Sequence, residues 1–480
     1  MSVAPPETPI EDDAATPLVV DVDGALVADD LFLEGAARLI ARCPLKVFAL
    51  PFWLLRGRAA LKRRVAEAVP LPPSTLVLNP VALREIDAAR AAGREVWLAS
   101  GADPRAVEPL AETVGATGCI TSDDGAHLTG EARAAALVAR FGESGFDYLG
   151  HARRDLPAWR SARRAIGVGL SAGLASTLRG IDGDARLLPG APGSPLDYLR
   201  ALRPHQWIKN AMVFVPLLAD HGTDAGLYLR LLGVFAALSA CASGTYLLND
   251  ALDLPHDRRH RRKRHRPLAA GRTGLLPSVG IGFALVTAGL AAAFGLSVTA
   301  GYGVLVYLAA TLAYSLWLKR KTFIDVIVLA LLYAIRVLIG AAAVAVAPSP
   351  WLLAFSLFIF LAIAIAKRQT ELAGAEGADG RAYHAGDGPA MAALGAGSGF
   401  ATVVVLTLYI QSPEVSARYP QHELLWLVCP LLVHWLGRLT LLAGRGAVHD
   451  DPVVFAMRDR TSWLTGLAIA ATVLAALREP

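Results

Sequence analysis

Polar and apolar positions are unevenly distributed along this 480-residue chain. Residues up to about 200 mix short apolar stretches with charged ones. From residue 205 onward, nine apolar segments follow one another at about 208–220, 226–248, 274–294, 298–317, 323–346, 350–366, 389–412, 422–443 and 461–477. Each except the first is near the ~20 residues with which a helix crosses hydrocarbon. The first is short, as a tilted or partly interfacial segment would be. The early part has a different rhythm. PLVVDVDGALVADD, REVWLASG, ATGCITSDDGAHLTG and FDYLGHARRD each run from apolar residues into a polar end, as buried parallel strands do. Helical patterns such as AVEPLAETVG and GEARAAALVARFG lie between them. The pattern predicts an α/β domain over residues 1–185, a Pro/Gly-rich linker at 186–199, and an all-α polytopic membrane domain of about nine helices over 200–480. LKVFALPFWLLRGRAALKRR (residues 45–64) is too short to span. It suits either a segment lying on the membrane surface or a buried cap helix.

Composition agrees: 54% of residues are hydrophobic, 18% are charged, and mean hydropathy is +0.44. The net charge is +5. Nucleic-acid binding is not the reading of that excess, because it is concentrated in loops. RRHRRKRHR follows the second segment, KRK the fourth, KR the sixth, and residues 438–460 the eighth. This positive-inside pattern predicts a multi-pass protein of the inner or plasma membrane with a cytoplasmic N-terminal domain. The polar, acidic start MSVAPPETPIEDDAATP is unlike a signal peptide. Cys43, Cys119, Cys241 and Cys429 lack metal-like spacing, which argues against a zinc site or disulfide framework.

The candidate chemistry is concentrated at the cytoplasmic end of the second segment. Asp250, Asp253 and Asp257 follow Asn249 at offsets of three and four, which predicts one helical face. Like charges so spaced call for a cation among them, and Mg²⁺ with oxygen ligands is the simple solution. Lys209, Lys263, Arg266, Lys319, Lys367 and Arg368 lie near predicted cytoplasmic ends, and Arg336 lies midway along the fifth segment. Mg²⁺ with such cations suits a pyrophosphate. A lone Arg336 within the membrane is expected to face a polar cavity.

Two resemblances extend this reading. Asp21-Val22-Asp23-Gly24 resembles the first motif of the haloacid dehalogenase (HAD) superfamily. That implies Asp21 as phosphoryl nucleophile, Asp23 as acid/base, and Mg²⁺ on Asp21, Asp23 and Asp155. Ser100 fits the second motif. Arg133 stands where the family has Lys, and His151 where it has a metal carboxylate, so the domain is either an active phosphatase or a degenerate one. Asn249-Asp250-x-x-Asp253-x-x-x-Asp257 resembles the first motif of UbiA-type intramembrane prenyltransferases, and YSLWLKRK, with Tyr314 and Lys319, resembles their Tyr/Lys element. AKRQTEL, with Lys367 and Arg368 in place of a second acidic motif, resembles the decaprenyl-phosphate phosphoribosyltransferase branch, as do LRPHQWIKN, KRHRPLAAG and DDPVVFAMRDR. The implied substrates are phosphoribosyl pyrophosphate and a polyprenyl phosphate, in the synthesis of a lipid-linked arabinose precursor. The HAD-like domain would then remove the 5-phosphate. An aromatic-acceptor prenyltransferase is the nearest alternative; a transporter or a scaffold with a sensor domain comes from another class. Homo-oligomerisation stays open.

Overall fold

The computed structural model describes residues 16–122, 128–190, 193–373, 383–448 and 451–478. The chain divides into two compact units. One holds residues 1–202 with 246–282; the other holds 203–245 with 283–480.

In the first unit, six parallel strands lie in the order β3-β2-β1-β4-β5-β6. They are β1 (Leu18–Asp21), β2 (Val96–Ser100), β3 (Gly118–Thr121), β4 (Asp147–Gly150), β5 (Arg164–Val168) and β6 (Arg186–Leu188). β1 is buried along its whole length, because helices cover both sheet faces. Leu18 and Val20 enter one core cluster, with Leu98 and Leu149, while Val19 enters the other, with Phe146 and Trp159. That is the two-residue alternation of a strand. β1 pairs with β2 on one side and β4 on the other, so the chain order reverses at its carboxyl end, where Asp21 stands. Open α/β sheets form their ligand crevice at such a switch point. The Pro/Gly-rich stretch expected to be a linker begins instead with β6, which pairs with β5. Two helices of this domain matter below, α1 (Leu31–Arg42) and α2 (Glu131–Phe141).

Residues 45–64 do not form a buried cap helix. A 3₁₀ stretch, Pro44–Ala49, leads into the short helix Leu50–Leu55. Leu45, Phe48, Phe52 and Leu55 are 81%, 72%, 69% and 84% exposed.

The helices that follow are α3 (Ala225–Leu252), α4 (Leu254–Arg259), α5 (Leu275–Leu296), α6 (Val298–Leu316), α7 (Ile324–Val344), α8 (Pro350–Ala373), α9 (Gly388–Ile410), α10 (Val428–Gly444), α11 (Pro452–Arg458) and α12 (Arg460–Ala476). Among the described residues seven helices are long and apolar enough to cross a membrane, not nine. They are α3, α5, α6, α7, α8, α9 and the run His422–Gly444 that contains α10. The first apolar segment is a 3₁₀ stretch, Pro204–Phe214, and a five-residue helix, Val215–Ala219. The last is α12, with 17 residues. α7 shows how the second unit packs. Val326, Ala330, Tyr333, Val337, Ala341 and Val344 recur every three or four residues and are buried. Ile327, Leu331 and Leu338 lie on the opposite face and stay exposed, as lipid-facing residues do. A Cβ added to Gly340 would lie 2.0 Å from the Val213 carbonyl oxygen, so glycine is what lets the Pro204–Phe214 stretch lie against α7.

Candidate functional site

Three groups of side chains carry the candidate chemistry. The first is the acid cluster at the end of β1. One oxygen of Asp21 accepts from Arg133 Nη1 at 2.7 Å, and the other lies 3.2 Å from His151 Nδ1. Arg133, from α2, also donates to Asp155 Oδ1 (3.1 Å) and the Tyr148 hydroxyl (2.8 Å). The second Asp155 oxygen accepts the His151 and Ala152 backbone N–H groups, at 2.9 and 3.0 Å. Asp23 is occupied as well: Oδ1 accepts Leu31 N–H at 2.9 Å and Oδ2 accepts the Ser100 hydroxyl at 2.9 Å. Arg154 Nη2 donates to the Asp23 carbonyl oxygen at 2.7 Å and lies 3.8 Å from Asp21 Oδ2. Gly24 has φ +88°, and an added Cβ would meet the His151 ring at 2.1 Å. Burial pushes the Asp21 carboxyl above the usual range despite Arg133 and His151. Burial works against the charge of Arg133, but Tyr148, Asp21 and Asp155 outweigh it and hold its pKa above the usual value.

Asp21, His151 and Asp155 bring ligand atoms within 4.8 Å of one another, the one such metal-compatible group among the described residues. Mg²⁺ wants several free oxygens in near-octahedral array. Here Arg133 lies on an oxygen of both Asp21 and Asp155, Arg154 lies on the Asp23 carbonyl, and both Asp23 carboxylate oxygens are spoken for. Two guanidinium charges already neutralise the acids that would attract the ion. The residues present do not fit Mg²⁺. Arg154 and Tyr148 were not singled out from the sequence, and only an excess of basic residues in GHARRD hinted at the first.

The second group is the acidic motif. The expected helical run is interrupted at one residue: α3 ends at Leu252, Asp253 takes the N-cap position of α4 with φ −89° and ψ 3°, and Pro255 is the second residue of α4. Across this break Arg266 joins the outer acids, donating to Asp250 Oδ1 at 3.0 Å and to Asp257 Oδ2. Arg266, expected to face donor phosphates, is thus seated on the carboxylates. Lys263 lies in the neighbouring 3₁₀ turn, Lys263–His265. Burial raises the Asp257 carboxyl pKa, against Arg266. Its Oδ1 is buried and has no hydrogen-bond donor. Carboxylates are the right kind of ligand for a hard divalent cation, but here Arg266 occupies an oxygen of Asp250 and of Asp257, and an ion would have to displace it. Asp250, Asp253 and Asp257 are the residues that would hold the ion.

The third group, in the second unit, is a network of cations and acids. Asp451 Oδ2 lies 2.7 Å from Lys209 Nζ and 3.2 Å from Lys367 Nζ, and the carboxylate accepts the Tyr333 hydroxyl at 2.9 Å. Burial would raise the Asp451 carboxyl, but Lys209 and Lys367 hold it far below the usual range. Arg368, on α8, is fully buried and pairs with Asp325 at 2.9 Å and with Glu371. Its Nη2 lies 3.5 Å from the Tyr314 hydroxyl. Tyr383 donates to Asp325 and accepts Phe323 N–H at 2.9 Å. Arg368 is therefore consumed by protein partners, whereas the Lys367 side chain keeps 29% exposure. Arg336 is likewise buried in protein and not turned to an open cavity: it donates to Asn210 Oδ1 (3.0 Å), the Tyr307 hydroxyl (3.1 Å) and the Leu332 carbonyl. Lys319 lies in the turn Leu318–Arg320 after α6, and Asn249 lies near the end of α3. Of the loop GRAYHAGDGP, Arg381 lies outside the described residues. Asp451 and Asp325 were missed as site residues, although an acid within an apolar helix such as Asp325 is itself a signal of function.

Comparison with known proteins follows the same division. The UbiA prenyltransferase family model matches residues 211–443. The uncharacterized protein y4nM of Sinorhizobium fredii is 35% identical over 477 residues, 97% of this chain and 92% of that protein. The decaprenyl-phosphate phosphoribosyltransferase of Mycobacterium tuberculosis is 35% identical over 147 residues, 30% of this chain; the match spans about half, 49%, of that relative. Among solved structures, a UbiA homolog from Archaeoglobus fulgidus bound to DMAPP and Mg²⁺ is similar at 15% identity, covering 58% of this chain and 99% of its own, with TM-score 0.45. A phosphoserine phosphatase in apo form is similar at 18% identity, covering 36% of this chain and 99% of its own, with TM-score 0.26. This chain belongs to the UbiA prenyltransferase family, as a multi-pass membrane protein that carries an additional α/β domain with a six-stranded parallel sheet ahead of its membrane helices in the sequence.

Proposed function

We propose that the membrane part transfers phosphoribose from phosphoribosyl pyrophosphate to a polyprenyl phosphate, as a step towards a lipid-linked sugar of the cell envelope. The observation that carries this reading is the lysine pair on Asp451. Two ammonium groups share one carboxylate oxygen, and Lys367 is partly open. A phosphate monoester carries up to two negative charges and calls for a paired cation, whereas a singly charged aromatic carboxylate calls for one at most. The similarity to decaprenyl-phosphate phosphoribosyltransferase supports the same choice. In this reading Asp250, Asp253 and Asp257 hold a magnesium ion, which when bound supplies positive charge to the departing pyrophosphate. Lys209 and Lys367 receive the anionic lipid head. Arg368 acts behind them by fixing Asp325, Tyr314 and Glu371, and Arg336 by fixing Asn210 beside Lys209. The acceptor oxygen is already anionic, so no side chain is required as general base. The soluble domain faces the cytoplasm in this arrangement, where the donor is found.

For the N-terminal domain the crowding of Asp21 by Arg133, His151 and Arg154 favours the degenerate form over an active phosphatase. The test is purified protein in detergent with Mg²⁺, labelled phosphoribosyl pyrophosphate and decaprenyl phosphate. A lipid-linked phosphoribose that keeps its 5-phosphate is expected. Absence of any lipid-linked product, with transfer to a hydroxybenzoate-type acceptor from an isoprenyl diphosphate, would establish the aromatic alternative instead.

A further inference from the structure

The segment that carries the end of the acidic motif, residues 254–275, is gripped by the HAD-like domain within the first unit. Arg258 donates from both terminal nitrogens to the two Glu34 oxygens, at 2.7 and 2.8 Å, and Nη1 also reaches the Thr75 carbonyl at 2.6 Å. The two side chains are only 6% and 4% exposed. Further along, Asp29 Oδ1 accepts Leu275 N–H at 2.8 Å. Around these contacts Leu33 and Ala37 of α1 pack on Ala251, Leu254, Leu268 and Leu275. At Gly271, with φ +68°, an added Cβ would come within 2.9 Å of Val77 and 3.0 Å of Ala28.

A buried ion pair is an inefficient way to gain stability, since desolvation offsets most of the attraction. Its better-attested use is to fix a register. What this pair fixes is specific. Arg258 adjoins Asp257 in sequence, and its Nε also reaches the Ala269 carbonyl at 3.4 Å, three residues beyond Arg266. One guanidinium thus braces both sides of the segment whose Arg266 bridges Asp250 and Asp257. The brace starts from the N-terminal acid cluster itself. Asp23 accepts the first N–H of α1, at Leu31, and Glu34 follows one turn later on the same helix. The cluster that does not fit a metal still anchors the helix that holds Arg258.

We propose that the HAD-like domain serves the transferase as a positioning element, in which Glu34 and Asp29 hold residues 254–275 so that Asp250, Asp253 and Asp257 are set for their cation. This rests on the reading that these three acids bind a divalent ion. Glu34 and Arg258 are positioning residues; neither touches substrate.

The test is Glu34→Gln in the full chain, which keeps the shape and an acceptor but removes the charge. The Mg²⁺ concentration for half-maximal transfer is expected to rise about tenfold to a hundredfold, as for lost partners of metal ligands, with little change in kcat at saturating Mg²⁺. The exchanged pair, Glu34→Arg with Arg258→Glu, is expected to recover part of the loss. A merely structural role would lower the unfolding midpoint without moving the Mg²⁺ requirement. A folded Glu34→Gln protein with a wild-type Mg²⁺ requirement overturns the proposal. If the wild type shows no transfer at all, the functional reading fails separately. The grip is then read by limited trypsin cleavage within residues 258–266, where faster cleavage of Glu34→Gln supports it and equal rates overturn it.

Discussion

Gly340→Ala isolates one contact on which the second unit depends. The added methyl carbon would stand 2.0 Å from the Val213 carbonyl oxygen and 2.6 Å from its carbon. Both are backbone atoms, so no side chain can swing aside. Ordinary contact begins near 3.4 Å, and 3.4 minus 2.0 leaves about 1.4 Å to be found between α7 and the Pro204–Phe214 stretch. Arg336 lies one helical turn before Gly340, and its 3.0 Å bond to Asn210 crosses the same seam. A separation of that size takes this bond beyond hydrogen-bonding distance. Over-packing costs about 1–3 kcal/mol. A buried partner left unsatisfied costs about 1–3 kcal/mol more, so a loss of about 2–6 kcal/mol is expected. Lys209 is on the displaced stretch, so acceptor KM should rise as well. The assays are thermal unfolding in detergent and transfer kinetics against polyprenyl phosphate. Gly397→Ala is the control, since Gly397 lies in α9 with nothing within 4 Å of an added Cβ, and it should cost nothing. An unfolding midpoint and a KM both equal to wild type in Gly340→Ala would refute the reasoning.

Asp451→Asn leaves the buried Lys209, and the partly exposed Lys367 beside it, against a neutral amide, and the loss of the buried pair is expected to cost about 3 kcal/mol in chemical unfolding as well as most transfer activity. Burial raises the Asp29 carboxyl pKa from 3.8 to about 6, so the folded state holds that proton more tightly than the unfolded one. Its contribution is present below about pH 4 and lost as pH rises through 6; Asp29→Asn should remove that slope, up to about 3 kcal/mol, from stability measured across the range. The wild type should release no phosphate from phosphomonoesters at any Mg²⁺ level, and a chelator should not lower the melting point of the HAD-like domain; either effect would show that the guanidinium groups yield to a metal. The exposed ridge of Leu45, Phe48, Phe52 and Leu55 should enter the headgroup layer, so Trp53 fluorescence in nanodiscs should be quenched by brominated lipid in the wild type and spared in Phe52→Asp.

Much of this protein was legible as one-dimensional chemistry. The α/β domain could be read because buried strands are short apolar runs ending in acids, and β1 ends at Asp21. The membrane domain could be read because lipid tolerates only long apolar helices, and the family could be read from Asp250, Asp253, Asp257 and the Lys367-Arg368 pair. The number of long helices was not legible in the same way, since residues 208–220 have the composition of a span but fold as the end of a 3₁₀ stretch and a five-residue helix. What the sequence could not determine is which charges meet. Lys209 and Lys367 are 158 positions apart and share Asp451; Arg133 and Asp21 are 112 apart and pair directly; Arg258 and Glu34 are 224 apart and join the acidic motif to the HAD-like domain. Hydrophobic periodicity is local, so the order of residues is enough to choose elements. A buried charge has to find its counter-charge wherever packing places it, and only the tertiary structure decides that.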